Sequence, residues 1–348
     1  MPNGRARIAV TAALWAVFAT APLAVDDWQL TQLAQLMTYG IFAMSLAFVW
    51  GQIGLLCFGQ AIFFGIGGYA MAVVTKGMLP GVPGDTALGL VAAVVLPGIA
   101  AYVLGQFLFR GRGLSGAYFA IVTLSASVIA ERAASHWTFI GGFNGLLNVP
   151  PLRVGWGGVS VELVDPLPTY YAMLAVAAAV FAGLLWLDRS PLGTVFRGIR
   201  DNDERTAYFG YDVAAYKTFG FVLSGAVAGL AGALFVTQFG FVSPALIGFP
   251  LSTEVLIWVA LGGKEVLLAA FMGAIVVRSV EGVLSETLGY YWLLALGVLF
   301  VLSVVLLPRG LLGWWLRLPM AARLTRRAED RRPVEVVNTS RGRPTGRR

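Results

Sequence analysis

This 348-residue chain has a single cysteine and a single histidine. Cys57 alone allows no intramolecular disulfide and no cysteine-based metal site. His136 has no second histidine or cysteine with which to share a metal ion, so it reads as an interfacial histidine at the end of an apolar run, and no metal site is expected. Charge is scarce too: 12% of residues are charged against 58% hydrophobic, and the mean hydropathy is +0.77. No G-x-x-x-x-G-K-[ST] stretch occurs. Its nearest approach, Gly262-Gly263-Lys264-Glu265, lacks both the spacing and the hydroxyl that would hold Mg²⁺. The chain therefore has no phosphate-cradling loop of its own, and any pumping must draw on an ion gradient or on another subunit. Ion-coupled carriers keep ionisable groups at mid-membrane, where a charge is costly and survives for function. Here these are only Glu254, near the start of its run, and Arg278 with Glu281, three residues apart on one helical face and able to pair. That is thin material for a proton relay, and nothing suggests covalent catalysis.

What the chain does have is apolar length. Runs at about 8–24, 31–50, 53–75, 86–108, 114–132, 169–187, 218–237, 251–263, 265–288 and 290–307 are mostly long enough to cross a bilayer as helices, giving about ten spans. Five glycines inside 53–75 mark that run as a candidate for a break, and the pair 251–263 and 265–288 as one whose count is open. The net charge of +7 is distributed by side. Arg5, Arg7, Arg110, Arg112, the basic residues from Arg189 to Lys217, Lys264 and everything from Arg309 onward fall on one face of ten alternating spans. Lys76, Arg132 and Arg153 fall on the other, and Arg278 lies within a span. Such asymmetry places the richer face, and both termini, in the cytoplasm. The arginine-rich tail ending RGRPTGRR is expected to meet solvent or lipid headgroups and not nucleic acid. Ala19-Thr20-Ala21 resembles a signal-peptidase site, but the apolar run continues to Ala24, so the first span is expected to be a retained anchor. The division expected is a start and first anchor at 1–30, a transmembrane body at 31–310 and a basic cytoplasmic tail at 311–348.

Two glycine-rich stretches, FGFVLSGAVAGLAGALF with Gly220, Gly225, Gly229 and Gly232, and FGQAIFFGIGGYA from Phe58 to Ala70, form small-residue stripes. Stripes of this kind let helix backbones approach closely where lipid provides no hydrophobic drive. Gln60, an amide amid apolar neighbours, must find a partner or line a wet path. The long outer segment 133–168 carries Asn144 among glycines, then Pro150-Pro151, and reads as a loop able to dock or gate. One polar island, residues 188–217, interrupts the apolar sequence. Within it Asp201 or Asn202 can cap a helix start, Asp203 and Glu204 suit its positive end, and Gly210 fits a left-handed stop. Two turns are too short to stand alone in water. Tyr208 and Phe209 on such a helix are natural anchors in a partner's cleft, with a helix lying on headgroups as the alternative.

Collinear runs from about 31 to 310 resemble a known family. They are Gly51-Gln52-Ile53-Gly54-Leu55-Leu56 leading into FGQAIFFGIGGYA, SGAYFAIVTLS containing Tyr118, FIGGFNGLLNVPP, the polar island, and SGAVAGLAGALF followed by GFVSPALIGFPLSTEVLIWVALGG. They are similar to the longer permease subunits of branched-chain amino acid (LIV-type) ABC importers. Departures are Arg205 and Thr206 where small alanines are usual, Lys264-Glu265-Val266 after the Gly262-Gly263 pair, and Gln60 where many relatives carry histidine. The resemblance implies an all-α polytopic fold of about ten helices, of the cobalamin-importer type, in the bacterial inner membrane. It also implies a second permease subunit, two cytoplasmic ATPase subunits that bind the ATP, a periplasmic binding protein and surrounding lipid as partners, with no cofactor in this chain. Asp201, Asp203, Glu204, Tyr208, Phe209 and Gly210 would then couple to the ATPase, and Gln60, Tyr118, Asn144 and Glu254 would be candidates for the translocation path. The urea and short-chain amide permeases share the architecture, and Gly67-Gly68-Tyr69-Ala70-Met71 has some of their flavour. An autonomous channel, an ion-coupled carrier or a membrane scaffold are the readings from other classes.

Charge sidedness generates a direct test. With Cys57→Ser as background, single cysteines at Asn144 and Asn202 should show opposite accessibility to an impermeant thiol reagent, Asn144→Cys reacting from outside. Equal external labelling of both would overturn the topology.

Overall fold

A computed structural model describes residues 3–110, 116–156 and 159–288, with the isolated positions 291, 294, 297 and 298. Helix α1 (Asn3–Thr20) leads through a short 3-10 turn into α2 (Asp27–Ala47), which is the central element of the bundle. Every residue of α2 from Met37 to Ala47 is buried, as expected of a helix apolar on all sides. It runs on as a π-helical turn, Phe48–Ile53, ended by Gly54 with a left-handed φ of +86°. The chain is irregular to Gly59 and then forms α3 (Gln60–Thr75), so the suspected break in 53–75 is present. Helices α4 (Thr86–Phe109), α5 (Gly116–His136) and α6 (Pro166–Arg189) follow, then α7 (Pro191–Asp201), α8 (Asp203–Tyr208), α9 (Val213–Phe239), α10 (Phe249–Gly262) and α11 (Leu267–Leu288).

Close packing of α3, α4 and α9 forms the tightest part of the bundle. A Cβ on Gly67 of α3 would fall on the backbone of Gly229, and one on Gly232 of α9 would fall on the carbonyl of Phe64. Gly229 also abuts the Ala93 carbonyl and the ring of Pro97 in α4. At Gly67, Gly229 and Gly232 the glycine stripes thus form a backbone-to-backbone junction. Gln60 seals its inner side. It is fully buried, and its amide nitrogen donates at 2.9 Å to the hydroxyls of both Ser45 in α2 and Ser224 in α9. Helix α1 packs on α6 through Trp15 against Phe181, with Tyr170 donating to the Phe18 carbonyl at 2.6 Å.

Contacts sort the connections into two ends. At one end lie Gly51, Arg200, Lys217 and Lys264: Arg200 donates to the Gly51 carbonyl at 2.8 Å, and the Lys264 backbone lies against Gly51. At the other, Lys76 donates to the Leu147 carbonyl at 2.6 Å, and the Arg153 amide donates to the Thr86 hydroxyl at 3.1 Å. The all-α expectation needs a small amendment here. Strand β1 (Leu146–Leu147) pairs antiparallel with β4 (Phe241–Val242), and β2 (Arg153–Trp156) pairs with β3 (Val159–Glu162), Arg153 opposite Glu162. These short pairings satisfy backbone groups of a loop folded over the helix ends.

The chain is an all-α, multi-pass membrane protein. Among the described residues five helices are long and apolar enough to cross a membrane: Asp27–Ile53, Thr86–Phe109, Gly116–His136, Pro166–Arg189 and Val213–Phe239. The expected spans 251–263 and 265–288 prove to be α10 and α11, bent by 117° at a break and counting together as a sixth at most. With 14 residues α10 reaches only about 21 Å, short of a hydrocarbon core of about 30 Å. Helix α3, at 16 residues, is short for the same reason. The run 290–307 and the tail 311–348 lie outside the continuously described residues.

Gly67→Val should force α3 from α9, costing about 1–3 kcal/mol or more. Gly183→Ala, on α6 with nothing within 4 Å of its added methyl, should be neutral or gain about 0.5–1 kcal/mol. Thermal midpoints of the two variants in detergent decide it.

Candidate functional site

The polar island is two helices meeting at one residue. Pro191 opens α7, and Gly193, Phe196 and Ile199, at helical spacing, turn inward. Phe196 is fully buried and meets Phe48 edge-on at 5.8 Å between ring centroids. Arg197 holds Asp188 at 2.7 Å, tying α7 back to the end of α6, and Arg200 reaches the π-helical turn through Gly51. Asn202 then starts α8: its side-chain oxygen accepts from the Arg205 amide at 2.8 Å. Asp201, expected as an alternative cap, is the last residue of α7 and pairs with Arg200 at 3.3 Å. Asp203 forms an ion pair with Lys217 of α9, whose side chain is buried and lies over the Phe109 ring. Glu204 shares the first turn of α8 with Asp203. Gly210 stops the unit with φ +88°, which a Cβ disfavours.

This frame presents aromatic surface outward. Tyr208 is 89% and Phe209 81% exposed. Beside them a groove of about 440 Å³ is lined by Thr194, Val195, Gly198, Asn202, Arg205, Thr206, Phe209 and Tyr211 among others. The short helix beneath these rings is pinned to α9 by the half-buried ion pair of Asp203 with Lys217.

A second polar cluster lies within the bundle. Arg278 of α11 donates to Glu281 at 2.8 Å and to the Tyr39 hydroxyl at 3.1 Å, and sits 3.7 Å from Glu254 of α10. Its guanidinium also lies over the Tyr39 ring at 4.5 Å. The pairing of Arg278 with Glu281 expected from spacing is present, with Tyr39 and Glu254 as added members.

The sequence profile of the family described as "Branched-chain amino acid transport system / permease component" matches residues 30–305. The chain belongs to this family. Among its curated relatives are the high-affinity branched-chain amino acid transport system permease proteins LivM of Salmonella typhimurium and of Escherichia coli K12. Each is 31% identical over 298 residues, covering 79% of this chain and 68% of the relative. BraD of Pseudomonas aeruginosa, a permease protein of the same description, is 24% identical over 287 residues, covering 79% of this chain and 92% of its own. No solved structure matches. The chain is a permease component and not a catalytic subunit.

The permease does not bring the four path candidates together. Gln60 is enclosed where three helices meet. Tyr118 is 73% exposed on α5, and Asn144 is exposed in the loop between α5 and α6. Glu254 belongs to the ion cluster. What sequence reasoning missed is α7 as a separate seated helix and Lys217 as the partner of Asp203. The first had a signal in Pro191 followed by Gly193, Phe196 and Ile199. The second had none, because the pairing crosses a turn.

Asp203→Asn should leave Lys217 buried without its counter-ion, loosening α8 and raising protease cleavage within 202–212. Adding Lys217→Met should recover part of the resistance, since removing both charges costs less than stranding one. Equal cleavage of single and double variants would show that the pair does not hold the helix.

Proposed function

We propose that this permease translocates branched-chain amino acids across the bacterial inner membrane, delivered by a periplasmic binding protein and driven by two cytoplasmic ATPase subunits. A second permease completes the pathway. Family membership over 276 residues, 30–305, supports the solute class, and the curated relatives carry that solute in their names. The observation that carries the mechanism is the platform of α7 and α8. It is capped by Asn202, stopped by Gly210 and braced by Asp203 on Lys217, with Tyr208 and Phe209 left uncovered. A partner that closes on ATP would seat these rings in a cleft, and its movement would pass through α7 to Arg200 and the Gly51 turn. The basic end of the bundle is the cytoplasmic one in this reading, by the positive-inside rule.

The finer architecture in this proposal is the ten-span, cobalamin-importer arrangement. The short helices α3 and α10 would cross together with the irregular segment 54–59 and with 243–248, which holds a 3-10 turn, as broken helices do in transporters. In this reading both termini lie in the cytoplasm.

Tyr208→Ala or Phe209→Ala should each weaken ATPase docking by about 2 kcal/mol or more. Gly210→Val should disfavour the stop by about 1–2 kcal/mol. The expected phenotype is normal membrane insertion with ATPase subunits lost on co-purification, or hydrolysis uncoupled from uptake. Variants that assemble and transport like the parent would assign the platform to lipid headgroups. Uptake driven by a proton gradient with the ATPase absent would overturn the importer reading.

A further inference from the structure

The ion cluster around Arg278 has more capacity than its own members use. Glu281 and the Tyr39 hydroxyl each take one N–H of the guanidinium, and a guanidinium has more donors than these two bonds occupy. Glu254 stands 3.7 Å from Arg278, close enough for attraction and too far for a hydrogen bond. The Glu254 and Arg278 side chains are each 26% exposed, so both can be reached, whereas Glu281 is closed in at 7%. Trp258, packed beside both Tyr39 and Arg278, is fully buried with its indole N–H unpartnered among the described residues. One turn beyond Arg278, a Cβ on Gly282 would meet nothing within 4 Å among the described residues.

The chemistry of this gap selects its ligand. A simple cation placed there would meet Arg278, and a simple anion would meet Glu254 with Glu281 behind it. No group of three or more metal-ligating side chains exists among the described residues. A ligand carrying both signs a few ångströms apart satisfies both faces: an ammonium on Glu254, a carboxylate on the unused N–H groups of Arg278. We propose that Glu254 and Arg278 form a head-group site for a zwitterionic α-amino acid inside the permease, with Tyr39 and Glu281 holding the guanidinium in place. This rests on the amino-acid reading of the preceding section and adds to it where the solute is recognised within the membrane.

The test uses the complete transporter, purified with its ATPase partners and without binding protein, and titrated with L-leucine by calorimetry. L-Leucinamide, which lacks the carboxylate, and 4-methylpentanoate, which lacks the ammonium, serve as competitors. The parent should bind leucine and be competed by other zwitterionic amino acids but poorly by either analogue. Glu254→Gln, which keeps the shape and removes the charge, should weaken leucine by about tenfold or more, the loss of one charge-assisted hydrogen bond. It should also narrow the preference for leucine over 4-methylpentanoate. Glu254→Asp should restore part of both. Arg278→Lys, which keeps the charge but not the fork, should narrow the preference over leucinamide. No leucine binding by the parent, equal competition by both analogues, or a Glu254→Gln protein that binds and discriminates as the parent does would each overturn the site. The competition pattern of the parent decides even if a variant fails to assemble. Leucine uptake by the parent with its binding protein reports separately on the broader reading. If no amino acid is taken up, that reading falls; if uptake is normal and the competition pattern is absent, only the head-group site falls.

Discussion

Lipid tails are as apolar as leucine, so helices inside a bilayer gain little from hiding apolar surface and must hold together by fit. The junction of α3, α4 and α9 meets that constraint with backbone against backbone: Gly67 on Gly229, Gly232 on Phe64, Gly229 on Ala93 and Pro97. Gln60 adds an attraction that a low dielectric strengthens, an amide nitrogen shared between two serine hydroxyls. Both ends of the protein are built on these helices. The start of α9 carries Lys217, which braces α8, and the end of α9 leads into β4, which pairs with β1 in the loop between α5 and α6.

The platform is joined to the bundle by few but specific contacts. Arg200 bonds the Gly51 carbonyl in the π-helical turn, and the backbone at Lys264, in the bend between α10 and α11, lies against the same glycine. Lys264 also stacks over Trp50 at 4.9 Å. Helix α7 is therefore tied to the broken end of α2, which in turn lies against the bend between α10 and α11. Those two helices carry Arg278 and Glu254. The π-helical turn Phe48–Ile53 interrupts the regular bonding of the helix, and turns of this kind are frequent at functional sites.

Local features of the site were legible and distant ones were not. The cap at Asn202, the left-handed stop at Gly210, the Arg278–Glu281 pair and the glycine stripes all follow from spacings of three or four residues. Asp201 was misread as a possible cap because Pro191, Gly193, Phe196 and Ile199 had not been assembled into a helix that ends on it. Tyr39 joins Arg278 across 239 positions, and Arg200 meets Gly51 across 149, separations over which no periodicity carries information. Gln60 illustrates the same limit. Its sequence context demanded a partner or a wet path, and only the position of Ser45 and Ser224 chose the partner.

Hydropathy, charge sidedness and glycine spacing were sufficient by themselves to establish a multi-pass helical membrane protein with one structured polar island. Each of these is a property of a residue and its near neighbours in a solvent of fixed thickness and polarity. The tertiary structure decided the 117° bend between α10 and α11, the shortness of α3 and α10, the seating of α7 and the assembly of one charge cluster from three helices. These depend on which surfaces meet, and that is settled by backbone fit and by pairing of buried polar groups across the whole chain.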